Sequence, residues 1–253
     1  MRLGQNFLAD PNLLDAIVRD ARLAGTDVVL EVGAGEGVLS GRLAEVAAHL
    51  HLIEIDRSLA GALAPLAARP AVELHWADAM KFDFAALRPS PTAVVSNLPY
   101  SVATPVILRT IELLPSVRSW TVMVQREIAE RLRAAPGNRT YGSASAVAQI
   151  ACEVELVRRV DPAVFRPRPR VDSAILRLRR KGPSADSQAR DLVRAAFAHR
   201  RKSLARSLEH GSPGGMEATR EALAELGLPT DARAETLSAE DFVALSAKLH
   251  PDT

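Results

Sequence analysis

Between Val28 and Gln125 the chain alternates short apolar runs with segments of helical period, and few architectures accept that order. Val28 to Val32, Leu50 to Ile55, Val72 to Trp76, Ala93 to Ser96 and Trp120 to Gln125 each read as a buried strand. Near-continuous apolar runs of this length are expected where helices cover both faces of a sheet. Val38 to Ala48, Leu59 to Ala68 and a stretch from about Pro105 to Leu114 supply the intervening helices. Strand and helix in alternation predict an α/β, doubly wound and mostly parallel sheet. A further helix, Leu13 to Leu23, precedes it, with Asp10 as N-cap and Pro11 at the first position.

The pattern then changes. Ala146 to Val157 and Ala174 to Leu178 read as two strands without a helix between them, which predicts an antiparallel hairpin at the sheet edge. The proline-rich stretch Phe165 to Pro169 joins them, and Arg180 to Ser187 reads as a linker. Gln188 to Glu209, Gly215 to Leu226 and Ala239 to Leu249 read as helices, the last with Ser238 as N-cap and Asp241 at the capping-box position. Two domains are therefore expected, 1–180 carrying the sheet and 181–253 a small helical domain.

A net charge of +2 over 253 residues conceals a segregated distribution. Arg158 to Arg206 holds fifteen Lys or Arg against four Asp, a net of +11, which leaves the remainder at −9. A basic block of this size suits a polyanionic partner, because each neutralised phosphate releases counterions. With no apolar run long enough for a bilayer and no apolar signal-like stretch at the start, the chain is expected in the cytoplasm and off the membrane. Cys152, the single cysteine, lies in an apolar run and reads as a buried small residue, not a nucleophile. No cluster has metal-ligand spacing, so no metal is expected.

Chemistry concentrates at strand ends. Glu31 to Gly37, reading EVGAGEG, sits where the first strand of the alternation meets its helix. Glycines there admit a ligand close to the backbone. The dinucleotide fingerprint wants Gly or Ala at position 38, where this chain has Val38. A pyrophosphate is thus disfavoured and a nucleoside remains. The next strand ends Glu54-Ile-Asp56, where a carboxylate can accept from ribose hydroxyls, and the third ends Ala77-Asp78-Ala79, where one can accept from an adenine amino group. Singly, Asp56 or Asp78 is as well explained as a cap or turn residue. The fourth strand ends Asn97-Leu98-Pro99-Tyr100. Two carbonyls, from the Asn97 side chain and the Leu98 backbone, can hold an exocyclic amine with its lone pair aimed at a methyl donor. Pro99 stiffens the turn and Tyr100 can stack on a base.

In this order and spacing the motifs resemble those of the ribosomal RNA adenine N6,N6-dimethyltransferases over nearly the whole chain. Gly4-Gln5-Asn6-Phe7-Leu8 resembles the opening motif, and Gln125-Arg126-Glu127 and Phe165 to Ser173 (FRPRPRVDS) match as well. The resemblance implies a Rossmann-like class I fold with a mostly parallel seven-stranded sheet, a small C-terminal helical domain and S-adenosyl-L-methionine as cofactor. It implies cofactor contacts from Gln5, Asn6, Leu8, Gly33, Gly35, Glu54, Asp78, Ala79 and Asn97. It implies catalysis at Asn97, Leu98, Pro99 and Tyr100, with Phe165 and Tyr100 sandwiching the target adenine. Arg166, Arg168 and Arg170 with Arg200, Arg201 and Lys202 are the expected phosphate-binding groups. Phe197 to Leu204 (FAHRRKSL) and Arg233 to Ser238 (RAETLS) resemble the branch that dimethylates two adjacent adenines near the 3′ end of 16S rRNA in the small ribosomal subunit. The alternatives are a 23S rRNA enzyme giving macrolide-type resistance, and a non-catalytic RNA-binding assembly factor. Ala34, Ser101, Ala103 and Ser207 depart from the usual family residues. No helical zipper is visible, so a monomer is expected.

Overall fold

The structure, a computed structural model, describes residues 7–182, 187–199, 202–209 and 214–251. It divides into two compact units, one of residues 1–129 and 154–180, the other of 130–153 and 181–253.

The first unit opens with a two-residue strand β1 (Phe7–Leu8) and helix α1 (Pro11–Ala21). Asp10 caps α1 by accepting from the Leu13 N–H at 3.0 Å, with Pro11 at the first helical position, where its missing N–H costs nothing. The alternation follows as β2 (Val28–Val32), α2 (Val38–Leu43), β3 (His49–Glu54), α3 (Ala60–Ala67), β4 (Val72–Trp76), β5 (Ala93–Asn97), α4 (Ala103–Leu113) and β6 (Ser119–Gln125). Helix α5 (Arg126–Leu132) and α6 (Ser143–Ala151) come before the long strand β7 (Cys152–Val160). Two strands complete the unit, β8 (Phe165–Arg166), antiparallel to β1, and β9 (Ser173–Arg180), antiparallel to β6.

Seven strands form the main sheet in the order β4-β3-β2-β5-β6-β9-β7. Neighbours from β4 to β6 are parallel. The inner strands β2, β3, β5 and β6 are buried on both faces. Val29, Leu50, Leu52, Val95, Met123 and Ile175 point into a core with Leu14 and Ile17 of α1 and Leu39 and Leu43 of α2. Their neighbours Leu30, Val94, Trp120 and Val122 are also buried, and the Trp120 indole donates to Thr110 of α4 at 2.9 Å.

Chain order reverses between β2 and β5, the place where open α/β sheets form their ligand crevice. Here the ladder is short. β2 pairs with β3 over five residues, but with β5 only at Val29–Ala93 and Leu30–Val94. Past that point the Val32 N–H donates to the Ser96 hydroxyl (2.9 Å) and the Gly33 N–H to the Ile53 carbonyl (2.8 Å). The buried serine satisfies a backbone donor where the two strands part.

The second unit holds α6, α7 (Ser187–Phe197), α8 (Leu204–Ser207), α9 (Gly215–Glu225) and α10 (Ala239–Leu249). Tyr141, Phe197 and Phe242 stack through its interior with ring centroids 6.1 Å apart at each step, and the Tyr141 hydroxyl donates to the Leu237 carbonyl at 2.9 Å. Ser238 and Asp241 form the expected reciprocal cap on α10.

Three expectations are corrected. The stretch 146–157 is not one strand, because α6 runs to Ala151 and β7 begins at Cys152. The stretch 188–209 is not one helix, because extended backbone at Ser203 separates α7 from α8. Residues 130–153 belong with the second unit instead of the first. Cys152 is buried, as its apolar setting implied.

Candidate active site

At the carboxyl ends of β2, β3, β4 and β5 lies a cavity of about 410 Å³. Its lining includes Leu8, Gly33, Gly35, Glu54, Asp78, Ala79, Asn97, Leu98, Pro99 and Tyr100. Residues far apart in the chain thus meet because parallel strands bring every strand end to one edge.

Gly33 and Gly35 both have positive φ, +78° and +58°. A Cβ on Gly33 would stand 3.1 Å from Cδ of Pro99, and one on Gly35 would stand 3.3 Å from the Phe7 ring. These glycines let the backbone turn and let its neighbours close on the cavity.

Glu54 is buried (3% exposed), and its carboxylate is fixed by three backbone donors: Gly35 N–H to Oε2 at 2.9 Å, Ile55 N–H to Oε1 at 2.8 Å and Asp56 N–H to Oε1 at 2.9 Å. This arrangement ties the glycine loop to the end of β3. Asp56 does not line the cavity; it caps the following turn through Ser58. Asp78 accepts from the Met80 N–H through Oδ1 at 2.9 Å. The Leu98 N–H donates to the Met123 carbonyl and the Val102 N–H to the Pro99 carbonyl, both at 3.1 Å, so the turn after β5 is anchored on either side. The Tyr100 hydroxyl lies 2.6 Å from Ser173 Oγ at the start of β9. Burial raises the Tyr100 pKa above that of an ordinary tyrosine, so the phenol stays neutral.

Glu31 is the group that sequence reasoning passed over. It lines the cavity, is 1% exposed and has a carboxyl oxygen, Oε2, without a hydrogen-bond partner. Burial, helped by the neighbouring Glu54 carboxylate and opposed by the Ser40 hydroxyl, pushes its pKa up to about 8. The only sequence signal was its place immediately before the glycine loop. Ile55 was missed too. It is 54% exposed on the cavity wall between two carboxylates, an apolar face that suits a flat heterocycle.

Phe165 is not among the residues that line the cavity. It is 2% exposed, packs in the core and pairs with Leu8 across the β1–β8 ladder. A large apolar ring gains more from that burial than from a wet cavity mouth. Gln5, Asn6, Arg200 and Arg201 lie outside the described residues. Arg166, Arg168 and Arg170 are exposed on the first unit, Arg168 within 3.8 Å of Asp161, and Lys202 is exposed on the second. Much of the basic block does other work. Arg180 donates to the carbonyls of Val117, Ile111 and Leu114, Arg158 and Arg177 pair with Asp20 and Glu155, and Arg190 is buried.

The family model described as ribosomal RNA adenine dimethylase matches residues 1–250. The ribosomal RNA small subunit methyltransferase A of Rubrobacter xylanophilus is 44% identical over 99% of this chain and 95% of its own. A dimethyladenosine transferase from Plasmodium falciparum has a similar structure, with TM-score 0.80 and 25% identity over 94% of this chain and 95% of its own. The 23S rRNA methyltransferase ErmE follows with TM-score 0.72 and 28% identity over 96% and 99%. The fold is that of the class I rRNA methyltransferases, and the chain belongs to the ribosomal RNA adenine dimethylase family.

Proposed function

We infer that the chain transfers methyl groups from S-adenosyl-L-methionine to the N6 amine of adenine in ribosomal RNA, and that two adjacent adenines near the 3′ end of 16S rRNA are its target. The observation that carries this reading is the meeting of the Asn97 to Tyr100 turn with Glu54, Asp78 and the glycine loop around one cavity. The 44% identity to a small-subunit methyltransferase, against 28% to ErmE, favours the small-subunit target.

The residues present fit the cofactor. The cavity falls in the range of small-molecule sites, and at Gly33 and Gly35 its loop puts no side chain in the way of a nucleoside. Glu54 would accept from ribose hydroxyls and Asp78 from the adenine amine, while Glu31 Oε2, without a protein partner, would face cationic groups. Gln5, Asn6, Leu8, Gly33, Gly35, Ala79 and Asn97 would complete the cradle. The bound cofactor supplies an electrophilic methyl group. Asn97 Oδ1 and the Leu98 carbonyl accept from the target N–H groups and orient the nitrogen lone pair. Tyr100 stacks on the base, with its ring held by Ser173. No strong base is needed, since the nitrogen proton becomes acidic once the methyl group is attached.

The target base leaves its stack to enter, so single-stranded or loop RNA is the substrate. Arg166, Arg168 and Arg170 bind phosphates on the first unit, and Arg200, Arg201 and Lys202 do so on the second. Reversing charge at either set should lower RNA affinity and reduce the salt slope by about one for each phosphate no longer neutralised. Among the described residues no helix is long and apolar enough to cross a membrane. We further propose action in the cytoplasm as a monomer.

The test supplies labelled S-adenosyl-L-methionine with unmethylated small subunits and, separately, with large-subunit RNA, then identifies the labelled nucleosides by mass spectrometry. Dimethyladenosine at adjacent small-subunit positions is expected. Label confined to large-subunit RNA would transfer the chain to the resistance branch. Tight subunit binding without label in either would make it an assembly factor.

A further inference from the structure

Away from the cavity, on the mid-strand faces of β3 and β4, three imidazoles and a carboxylate converge. His49 and His51 share one face of β3, and Glu73 and His75 share the matching face of β4, because residues two apart on a strand point the same way and His51 is in register with Glu73. His51 Nδ1 is 3.4 Å from Glu73 Oε2 and 3.4 Å from His75 Nε2. His75 Nε2 is 3.8 Å from Glu73 Oε1, and His49 Nε2 is 3.9 Å from Glu73 Oε2. Ligand atoms of His49, His51 and Glu73 all lie within 4.8 Å of one another.

Hydrogen bonding alone leaves this group poorly satisfied. His51 Nε2 is 2.9 Å from the Pro89 carbonyl. A carbonyl can only accept, so Nε2 carries the proton and Nδ1 of the neutral ring presents a lone pair. That lone pair lies 3.4 Å from a carboxylate oxygen, which is also an acceptor, and 3.4 Å from His75 Nε2, the ring nitrogen able to donate to it. His49 Nε2 is buried without a hydrogen-bond partner. His51 Nδ1 and Glu73 Oε2, two acceptors 3.4 Å apart, are what a cation would reconcile. Tetrahedral zinc with bonds of about 2.0–2.1 Å sets its ligand atoms roughly 3.3–3.5 Å apart, close to the spacings observed. The Pro89 carbonyl then serves as the outer partner that fixes a metal-bound imidazole.

We propose that His49, His51 and Glu73, with His75 beside them, form a site for a divalent transition metal, zinc by preference, that clips β3 to β4. Imidazoles with a single carboxylate suit zinc and its borderline neighbours better than magnesium or calcium. The cluster lies apart from the cavity lining, so the role is structural. The clip braces the two strands whose ends carry Glu54 and Asp78.

The test uses the full chain without an affinity tag, treated with chelator and desalted, then titrated with Co²⁺ and competed with Zn²⁺. One equivalent of Co²⁺ should give the intense visible bands of tetrahedral cobalt, and Zn²⁺ should abolish them and raise the thermal midpoint. Glu73→Gln alters a half-exposed side chain and His75→Gln a partly exposed one, so each should keep the fold by circular dichroism. Each should weaken Co²⁺ binding by at least about tenfold, the lower bound for losing even an outer partner of a metal ligand. Absence of tetrahedral bands in the wild-type chain would overturn the proposal. So would equal cobalt binding by wild type and the Glu73→Gln, His75→Gln double variant.

Discussion

Gly33 and Pro99 are packed so closely that a methyl group added to the glycine would lie 3.1 Å from Cδ of the proline. The contact couples the loop after β2 to the turn after β5, where the two strands no longer pair. Gly33→Ala meets both that neighbour and a φ of +78°. The conformation alone costs about 1–2 kcal/mol in a residue with a side chain. Denaturant unfolding should show at least that loss, and calorimetry should show weaker cofactor binding. Unchanged stability and affinity would mean that the two loops move independently.

Glu31 predicts an unusual dependence on pH. Its pKa is raised by burial from 4.5 in a free carboxyl to about 8 in the folded chain. The folded state therefore holds a proton that the unfolded state has released, and stability falls as pH rises from about 5 through 8. Glu31→Gln removes that dependence. Thermal unfolding across this range should find the variant gaining on wild type as pH rises, and parallel profiles would refute the assignment. Calorimetry at pH 7 in buffers of different ionisation enthalpy should also show proton release on cofactor binding in wild type only.

At the opposite end of the sheet, Asp27 gives the contrary sign. Burial tends to raise its pKa, but bonds from the Thr92 hydroxyl, the Ala24 N–H and Arg118 outweigh it, so the carboxyl sits below the ordinary range. Its stabilisation is present above the unfolded carboxylate pKa and is lost as pH falls through the folded value. Asp27→Asn should cost about 1–3 kcal/mol at pH 7. That deficit should shrink in acid, and a deficit that stayed constant down to pH 3 would count against the account.

Ser173 is a positioning residue for Tyr100. Ser173→Ala removes the hydroxyl 2.6 Å from the phenol and frees the ring that it holds. A bond of this kind contributes about 0.5–1.5 kcal/mol, so kcat should fall between about twofold and tenfold. Cofactor affinity should not change, and Ser173→Thr should restore part of the rate. A fall in cofactor affinity with kcat intact would place the bond in binding.

Much of this was legible in the sequence because parallel strands buried on both faces leave long apolar runs, and because the ligand edge of such a sheet is where each run ends. Glu54, Asp78 and Asn97 were found by that rule. The stretch 143–151 reads partly as strand because alanines and single β-branched residues carry no clear period; the Ser145 hydroxyl accepting from the Gly142 N–H at 3.1 Å starts a helix there. Glu31 was hidden as one charge in an apolar strand, with nothing local to show that it would be buried against the cavity. The histidine cluster escaped because its members are neighbours only through the register of β3 and β4, 22 residues apart at His51 and Glu73.

The central claim is that the Asn97 to Tyr100 turn, set over the Glu54 and Asp78 cavity, performs the methyl transfer. The most direct test is a single-turnover comparison of wild type and Asn97→Ala on unmethylated small subunits, with subunit binding measured in parallel. The account predicts dimethyladenosine with wild type and a rate lower by at least about a hundredfold with Asn97→Ala, while subunit binding is retained. Methylation by Asn97→Ala at the wild-type rate would contradict it.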